Sequence, residues 1–295
     1  MASTPLRPKM ALMLAAAGLP IAIFALTRGP SAARRRLRRQ RDDHSGRWAL
    51  WNSFYAVDWG STTTNNYGYA PAKGSDPQRF QQQLYRELLE LLRERMPPAR
   101  PLRLLEVSCG RGGGLRALLA AAPDLFDATA LDVAPNAIAF CRRHHGEHDR
   151  LRFVEGSALD LHFTDGSFDV LLNVEASNDY GDRARFFSEA ARVLGPDGVF
   201  LYAESLKSDQ VERVRAELAA AGLAAEFRDV TSNVAEACRL DSERRREVIR
   251  RRAPLLVRLL LGKQLANYAG IEGSRKFRAF AEGRRTYVLA AATKA

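Results

Sequence analysis

The sequence predicts an α/β fold built on a doubly wound, mostly parallel sheet. Residues 102–107 form an apolar run that leads into a glycine-rich turn at 108–114 and then into a helical pattern at 115–120. Strand-like and helix-like segments go on alternating along the chain, which is typical of parallel sheets covered by helices. Phe168–Val174 is a continuous apolar strand of the kind that lies buried in such a sheet.

The other elements follow from apolar spacing and turn residues. Over 77–96, leucines at positions 84, 88, 91 and 92 recur at helical spacing, and the prolines at 97 and 98 end the predicted helix. We also predict strands at 127–131, 151–156, 199–204 and 285–293, and helices starting at 135, over 183–194 and around 211–218. A turn at 195–198 separates the 183–194 helix from the next strand.

The glycine-rich turn indicates a nucleotide-like ligand, because glycine lets another molecule approach the bare backbone where a first strand meets its helix. Asp132 ends the second strand about twenty residues after the glycines, where an acid can accept hydrogen bonds from ribose hydroxyls. Glu106 precedes the turn, and its negative charge would repel a pyrophosphate. It suits a ligand with a cationic end, and S-adenosylmethionine carries an ammonium and a sulfonium. We therefore predict S-adenosylmethionine as the cofactor.

From Glu106 to Gly114 the sequence E-V-S-C-G-R-G-G-G resembles motif I of class I S-adenosylmethionine-dependent methyltransferases. Together with the stretch 173–177 (N-V-E-A-S), it is similar to lipid methyltransferases of the phthiotriolone/phenolphthiotriolone dimycocerosate type. The resemblance runs from about Trp51 to the C-terminus. It implies a Rossmann-like fold whose last strand is inserted antiparallel, with a helical insertion before that strand.

Motif placement assigns the cofactor contacts. Gly110 and Gly112 would admit the methionine part beside Glu106, Asp132 would hold the ribose, and Ser157 would border the adenine. In the family that this chain resembles, an N-x-G-Y-like element folds over the cofactor, and residues 66–69 match it loosely. The family commonly has Asp at the position of Ser157, which weakens the expected adenine contact. The predicted cofactor-binding residues are Tyr67, Glu106, Gly110, Gly112, Asp132, Val133, Ser157, Ala158 and Asn173.

The predicted catalytic residues are Glu175, Asn178 and Asp179, which follow the fourth strand. Similar lipid O-methyltransferases have a His at the position of Asn178, and an asparagine cannot act as a general base. Asp179 or Glu175 could act as the base if burial raises its pKa. Alternatively, the acceptor is already anionic, such as a fatty-acid carboxylate or an acidic enol or phenol, and needs no base.

The sequence thus predicts an enzyme that methylates an oxygen of a lipid-like or polyketide-like small molecule. Two alternatives stay open: carbon methylation of a quinone, sterol or tocopherol-type ring, and a catalytically inactive cofactor-binding partner subunit. The three cysteines lack C-x-x-C spacing, so we expect buried apolar fillers and neither a disulfide framework nor a metal site. We expect His144, His145 and His148 to be surface residues in a loop.

Helices are also expected between residues 232 and 280, including a basic stretch at 244–252 and an apolar stretch at 255–261. One interpretation is a solvated charged helix next to a core helix. The other is a substrate cap whose apolar side accepts an alkyl chain while its arginines face anionic lipid headgroups. The resembling lipid methyltransferases build their substrate cavity at this insertion, which favours a cap at 232–280.

The basic charge is concentrated at the N-terminus, where residues 1–50 hold ten Lys or Arg against Asp42 and Asp43. A basic tail favours a membrane surface over nucleic acid as the partner. Residues 10–27 are free of charge and would form a helix of about 27 Å, marginal for a bilayer core of about 30 Å. The arginines that follow would hold the catalytic domain on the cytoplasmic side. We therefore predict a membrane anchor and basic linker at 1–45, or alternatively a targeting peptide, and a methyltransferase domain at 46–295.

Overall fold

The computed structural model describes residues 51–96 and 100–295. Its sheet has seven strands in the order β3-β2-β1-β4-β5-β7-β6. The strands β1 to β5 pair in parallel, whereas β7 runs antiparallel to both β5 and β6. This confirms the doubly wound, mostly parallel sheet. The strands are β1 (Leu102–Val107), β2 (Phe126–Asp132), β3 (Leu151–Glu155), β4 (Phe168–Val174), β5 (Leu194–Lys207), β6 (Leu223–Asp229) and β7 (Arg285–Lys294).

Helices cover both faces of the sheet, and a short helical segment at residues 51–56 precedes the first of them. In the described ranges no helix is both long enough and apolar enough to cross a bilayer. The predicted anchor at 1–45, with its apolar stretch at 10–27, lies outside the described residues. The helices are α1 (Arg79–Arg95), α2 (Gly113–Ala121), α3 (Pro135–His145), α4 (Arg183–Val193), α5 (Val211–Ala220), α6 (Thr231–Leu240), α7 (Ser242–Arg252), α8 (Leu255–Tyr268) and α9 (Arg275–Ala281).

Two hydrophobic layers sandwich the sheet because neighbouring residues of a strand point to opposite faces. Leu104 of β1 belongs to the layer that contains the leucines of α1. Leu105 belongs to the opposite layer, with Phe186 and Phe187 of α4. The helical leucine spacing in α1 is borne out, since Leu84 and its partners at 88, 91 and 92 are all buried.

Two features of the sheet differ from the sequence prediction. The edge strand β6 was not predicted, because its side chains are mostly exposed or half-buried and it pairs only with β7. An edge strand of this kind lacks the apolar run that marks an interior strand. The predicted turn at 195–198 is instead the beginning of β5, where Leu194 pairs with Phe168 before a register shift.

The segment between β6 and β7 folds into α6 to α9. The basic stretch at 244–252 lies in α7, and one of its arginines points inward. Arg245 is buried, its Nε donates to Asp241 at 2.8 Å, and one Nη donates to the Tyr67 carbonyl at 2.6 Å. Since a buried charge needs such partners, Arg245 fixes α7 against the N-terminal part of the fold.

Candidate active site

The carboxyl ends of β1, β2 and β4 meet at one edge of the sheet, where the glycine-rich turn lies. Ser108, Gly110 and Gly112 all have positive φ, at 63°, 55° and 71°. Left-handed backbone at a non-glycine residue is strained, and such strain concentrates at functional sites. The Ser108 hydroxyl and the Tyr180 hydroxyl are hydrogen-bonded at 2.7 Å. The turn is therefore tied to the segment that follows β4.

Two positions of this turn require glycine because neighbouring side chains leave no room for a Cβ. A Cβ on Gly110 would lie 2.8 Å from the Tyr55 hydroxyl, and one on Gly114 would lie 1.9 Å from the Tyr85 ring. Tyr55 comes from the helical segment at 51–56, and Tyr85 comes from α1. The turn is thus covered by the residues that precede the sheet in the chain.

A cavity of about 140 Å³ opens beside this turn. Five of the predicted cofactor-binding residues lie in its wall: Gly110, Asp132, Val133, Ser157 and Ala158. We call it the cofactor cavity. Its further lining residues include Tyr55, Thr63, Tyr85, Ser108, Cys109 and Leu159.

Asp132 is held rigidly at the end of β2. Its Oδ2 accepts a hydrogen bond from the Gly110 amide and its Oδ1 accepts one from the Ala134 amide, both at 2.9 Å. Burial raises the pKa of Asp132 to about 6, although these amides act in the opposite direction. The carboxylate therefore lies in the wall of the cofactor cavity, where ribose hydroxyls would find it.

Glu106 lies one layer behind this wall and is 1% exposed. Its Oε1 accepts a hydrogen bond from the Tyr85 hydroxyl at 2.8 Å, while its buried Oε2 has no partner within the described residues. Burial raises the pKa of Glu106 to about 8. A buried carboxyl oxygen without a partner is unusual, and a cationic ammonium would satisfy it. The residues present therefore fit the ammonium end of S-adenosylmethionine.

Asn173 and Gly112 do not line the cofactor cavity. Asn173 is fully buried, and its Nδ2 donates to the Val107 carbonyl at 3.0 Å and to the Tyr180 hydroxyl at 2.8 Å. The prediction that Asn173 binds the cofactor directly is therefore corrected, because its amide holds Tyr180 in place instead. Gly112 is the left-handed N-cap of α2 and shapes the turn from behind.

A second, larger cleft of about 1230 Å³ adjoins the first. We call it the acceptor cleft. One side is aromatic and apolar, formed by Trp51, Phe54, Trp59, Val248, Ile249 and Leu265. The lining also includes the basic residues Lys207, Arg213, Arg275, Lys276, Arg284 and Arg285, together with the acids Asp182, Asp209 and Glu217. The two cavities share the wall residues Trp51, Asn65, Asn66, Glu175, Asp179, Tyr180 and Gly181.

Glu175 lies in this shared wall, directly after β4, with a positive φ of 51°. Its Oε1 accepts hydrogen bonds from the Tyr67 amide and from the Tyr287 hydroxyl, both at 2.8 Å. Burial raises the pKa of Glu175 to about 7. A carboxyl group that titrates near neutral pH can accept a proton from a substrate.

The other two predicted catalytic residues occupy different positions. Asp179 also lies in the shared wall. Asn178 lines only the acceptor cleft; its Nδ2 donates to the Ser205 carbonyl at 2.8 Å and its amide donates to Glu204 Oε2 at 3.2 Å. Asn178 therefore acts as a support of the loop.

Sequence reasoning missed several groups at the site. Glu204 is buried in the cleft wall and accepts hydrogen bonds from the Ser177 hydroxyl and the Ser205 amide, and burial raises its pKa. Glu204 ends a predicted parallel strand, and this position could have identified it as a site residue. Tyr287 and Lys276 lie far along the chain from the other site residues, so no local motif identified them.

Tyr67 was predicted to cover the cofactor, but the structure places it in the acceptor cleft and outside the cofactor-cavity wall. Its ring packs edge-on against Phe280 at 5.5 Å, and the Lys276 ammonium lies 5.4 Å from the ring centre. The neighbouring Asn65 and Asn66 line the cofactor cavity instead. The segment therefore contributes to both cavities.

One histidine prediction is wrong. His144 and His145 belong to the last turn of α3, and the Nε2 of half-buried His145 lies 2.8 Å from the Arg111 carbonyl of the glycine turn. Its ring supports the turn, and burial lowers its pKa. His148 is exposed. All three cysteines are buried and free, as predicted.

Comparisons with known proteins match this chain to methyltransferases. A family profile described as "Methyltransferase domain" matches residues 105–202. A probable phthiotriol/phenolphthiotriol dimycocerosates methyltransferase 2 of Mycobacterium ulcerans is 40% identical over 174 residues, 58% of this chain and 65% of that protein. A phthiotriol/phenolphthiotriol dimycocerosates methyltransferase of Mycobacterium tuberculosis is 35% identical over 193 residues, 65% of this chain and 69% of that protein. A fatty-acid O-methyltransferase of Mycolicibacterium smegmatis is 46% identical over 104 residues, 35% of this chain and 37% of that protein.

Solved structures share the fold at lower identity. A putative sarcosine dimethylglycine methyltransferase from Galdieria sulphuraria has a TM-score of 0.64 at 16% identity, covering 83% of this chain and 98% of its own. The [4+2]-cyclase SpnF has a TM-score of 0.63 at 21% identity, covering 83% and 94%. Since one of these neighbours is named as a cyclase, the fold alone does not decide the reaction. The sequence relatives do: this chain belongs to the S-adenosylmethionine-dependent methyltransferase family that contains the phthiotriol/phenolphthiotriol dimycocerosates methyltransferases.

Proposed function

We propose that the chain transfers a methyl group from S-adenosylmethionine to an oxygen of a lipid-like or polyketide-like small molecule. The observation that carries this proposal is the wall that the cofactor cavity shares with the acceptor cleft. A donor in the first and an acceptor in the second would meet beside Glu175. The protein's task in such a transfer is mainly to align the reacting groups and exclude water.

The composition of the acceptor cleft supports an amphipathic acceptor. Its aromatic and apolar side would bury an alkyl chain, and its charged lining residues would bind a polar or anionic group. The relatives are named for dimycocerosates and fatty acids. We carry over only this substrate class to the present chain.

Gly110, Asp132 and Ser157 would hold the cofactor, which would supply an electrophilic methyl group to the acceptor oxygen while its sulfur kept the electron pair of the carbon–sulfur bond. For a hydroxyl acceptor, Glu175 takes the proton, and the Tyr67 amide and Tyr287 hydroxyl hold its carboxyl in position. Asp179 is the second carboxyl in reach of both cavities. An acceptor that is already a carboxylate has no proton to lose, so it needs neither Glu175 nor Asp179 as a base.

The cofactor contacts are proposed from the same geometry. Asp132 and Val133 would hold the ribose, Gly110 would border the methionine part, and Ser157 with Ala158 would border the adenine. Glu106, one layer behind the cavity wall, would attract the ammonium through its negative charge.

The N-terminal segment is proposed from sequence alone. Residues 10–27 and the arginines after them would hold the enzyme on a membrane with its domain facing the cytoplasm, close to a lipid-like acceptor.

A labelled-methyl assay tests the proposal. The full chain is incubated with S-adenosylmethionine labelled in its methyl group and with a long-chain fatty acid or a long-chain phenol. We expect label in the methyl ester or methyl ether, located by mass spectrometry and NMR. A methyl group on a ring carbon would contradict O-methylation and favour the quinone-type alternative. Cofactor binding without transfer to either acceptor would contradict the proposed substrate class.

A further inference from the structure

Helix α8 presents a row of exposed leucines. Leu255, Leu259 and Leu260 are 63%, 74% and 65% exposed among the described residues. Residues 255 and 259 lie one turn apart on the same face, and residue 260 lies about 100° further round the helix, so the leucines form a broad exposed face. Contiguous exposed apolar surface of this kind marks a site of interaction.

The opposite side of α8 is buried and reaches the acceptor cleft. Val257, Leu261 and Leu265 pack with Trp59 in a separate hydrophobic cluster, and Leu265 also lines the cleft. The helix is therefore apolar on two sides, although a surface helix of a soluble domain normally has one apolar stripe. The leucine row and the cleft wall belong to the same helix.

The sequence around the leucine row has an excess of basic residues. Between residues 241 and 268 the chain holds eight Arg or Lys residues, of which Arg245 is buried, against Asp241, Glu243 and Glu247. Arg250 and Arg251 keep about two thirds of their side chains exposed, at 67% and 70%, and Lys263 is also exposed. A leucine row flanked by cations complements an anionic lipid surface rather than another apolar protein face.

The first described residues of the chain contact the C-terminal end of α8. The Trp51 ring lies 5.9 Å from the Tyr268 ring there. Residue 51 follows directly on the stretch that contains the charge-free segment 10–27 and the arginines at 34–41. The sequence thus holds two features that favour a membrane, this stretch and the leucine row of α8.

We propose that the leucine face of α8 docks on an anionic lipid bilayer, with its side chains among the headgroups and the first acyl carbons. The exposed Arg250, Arg251 and Lys263 contact lipid phosphates in this arrangement. Docking then places the acceptor cleft at the bilayer surface, so that an acceptor can enter along α8. Only this route depends on the proposed function; the docking does not.

A fluorescent label tests the docking directly. Leu259→Cys in the full chain is coupled to an environment-sensitive fluorophore; the three native cysteines are buried, and the parent chain measures their background labelling. Asp197→Cys is the matched control, since Asp197 is exposed where β5 begins, away from the carboxyl edge. Leu255→Cys repeats the measurement at a second position. Vesicles contain phosphatidylglycerol with phosphatidylcholine, or phosphatidylcholine alone.

We expect the labels at 259 and 255 to shift to the blue on phosphatidylglycerol vesicles, less so at high salt, while the label at 197 stays unchanged. Labels already shifted before vesicles are added would show that another part of the chain covers the leucines, which overturns the proposal. Vesicle binding with unshifted labels would show attachment through a different segment, with the same consequence. S-Adenosylmethionine binding is measured on the same labelled chains. If the labelled chains bind S-adenosylmethionine but their labels do not shift on vesicles, the docking is overturned and the proposed function is left intact.

Discussion

Replacing Glu106 with glutamine tests two things: the stability cost of burying this carboxyl group, and its proposed interaction with the ammonium of the cofactor. The carboxyl is fully buried, and its pKa is raised from 4.5 to about 8. A raised acid pKa means that the folded state holds a proton which the unfolded state has lost. The carboxyl therefore costs no stability below pH 4.5, and its cost grows as pH rises until it levels off above about pH 8.

The magnitude follows from the pKa difference. One pKa unit corresponds to about 1.36 kcal/mol, and the interval from pH 6 to pH 8 lies almost wholly inside the titration window. Over this interval the free energy of unfolding of the parent should fall by about 2 kcal/mol relative to Glu106→Gln. The glutamine amide has its own burial cost, but that cost does not change with pH. Titrating groups that do not interact with Glu106 cancel in the comparison.

Urea unfolding of both proteins at pH 6, 7 and 8 measures this difference. Glu243→Gln, which changes an exposed carboxyl, is the matched control. We expect Glu106→Gln to gain relative stability with pH and to bind S-adenosylmethionine more weakly, since no carboxylate is left for the ammonium. A stability difference that is constant across the three pH values would refute the burial argument. Unchanged affinity would refute the assignment of Glu106 to the ammonium.

Three further predictions concern catalysis and packing. With a hydroxyl acceptor, Glu175→Gln should abolish the limb of the pH–rate profile near pH 7. The affinity for the cofactor should stay within about twofold of the parent. If the limb near pH 7 is still present in the variant, Glu175 is not the base. Gly114→Ala should lower the melting temperature, because the added Cβ would lie 1.9 Å from the Tyr85 ring. The expected loss of stability is about 1–3 kcal/mol. An unchanged melting temperature would contradict this packing. Leu88→Ala in α1 should cost about 2–5 kcal/mol in urea unfolding, and a loss under 1 kcal/mol would mean that α1 does not cover the sheet.

An interior strand of the sheet could be predicted from the sequence where it contains a buried apolar run. Phe168–Val174 was predicted with its observed bounds. The edge strand β6 could not be predicted in this way, since only one neighbour pairs with it and its exposed side chains carry no apolar pattern. Burial on both faces, and not strand formation as such, produces the readable signal.

The cofactor side of the site was predicted better than the acceptor side for a similar reason. Asp132 and Gly110 are brought together by a turn and two adjacent strands, so local sequence is enough to place them. Glu175 meets Tyr67 and Tyr287 across 108 and 112 residues of chain. Contacts of that range depend on how the N-terminal segment and the last strand fold back. Motif spacing does not contain that information, which is why Tyr67 was assigned to the wrong cavity.

Isothermal titration of the full chain with S-adenosylmethionine, comparing the parent with Asp132→Asn, tests the central claim most directly. Asp127→Asn, at the other end of β2 and with an exposed carboxyl, is the matched control. We expect binding by the parent and the control, and a loss of at least tenfold in Asp132→Asn, because an amide cannot accept hydrogen bonds at both of its ends. Equal affinity of the three proteins, or no binding by a folded parent, would contradict the assignment of this cavity to the cofactor.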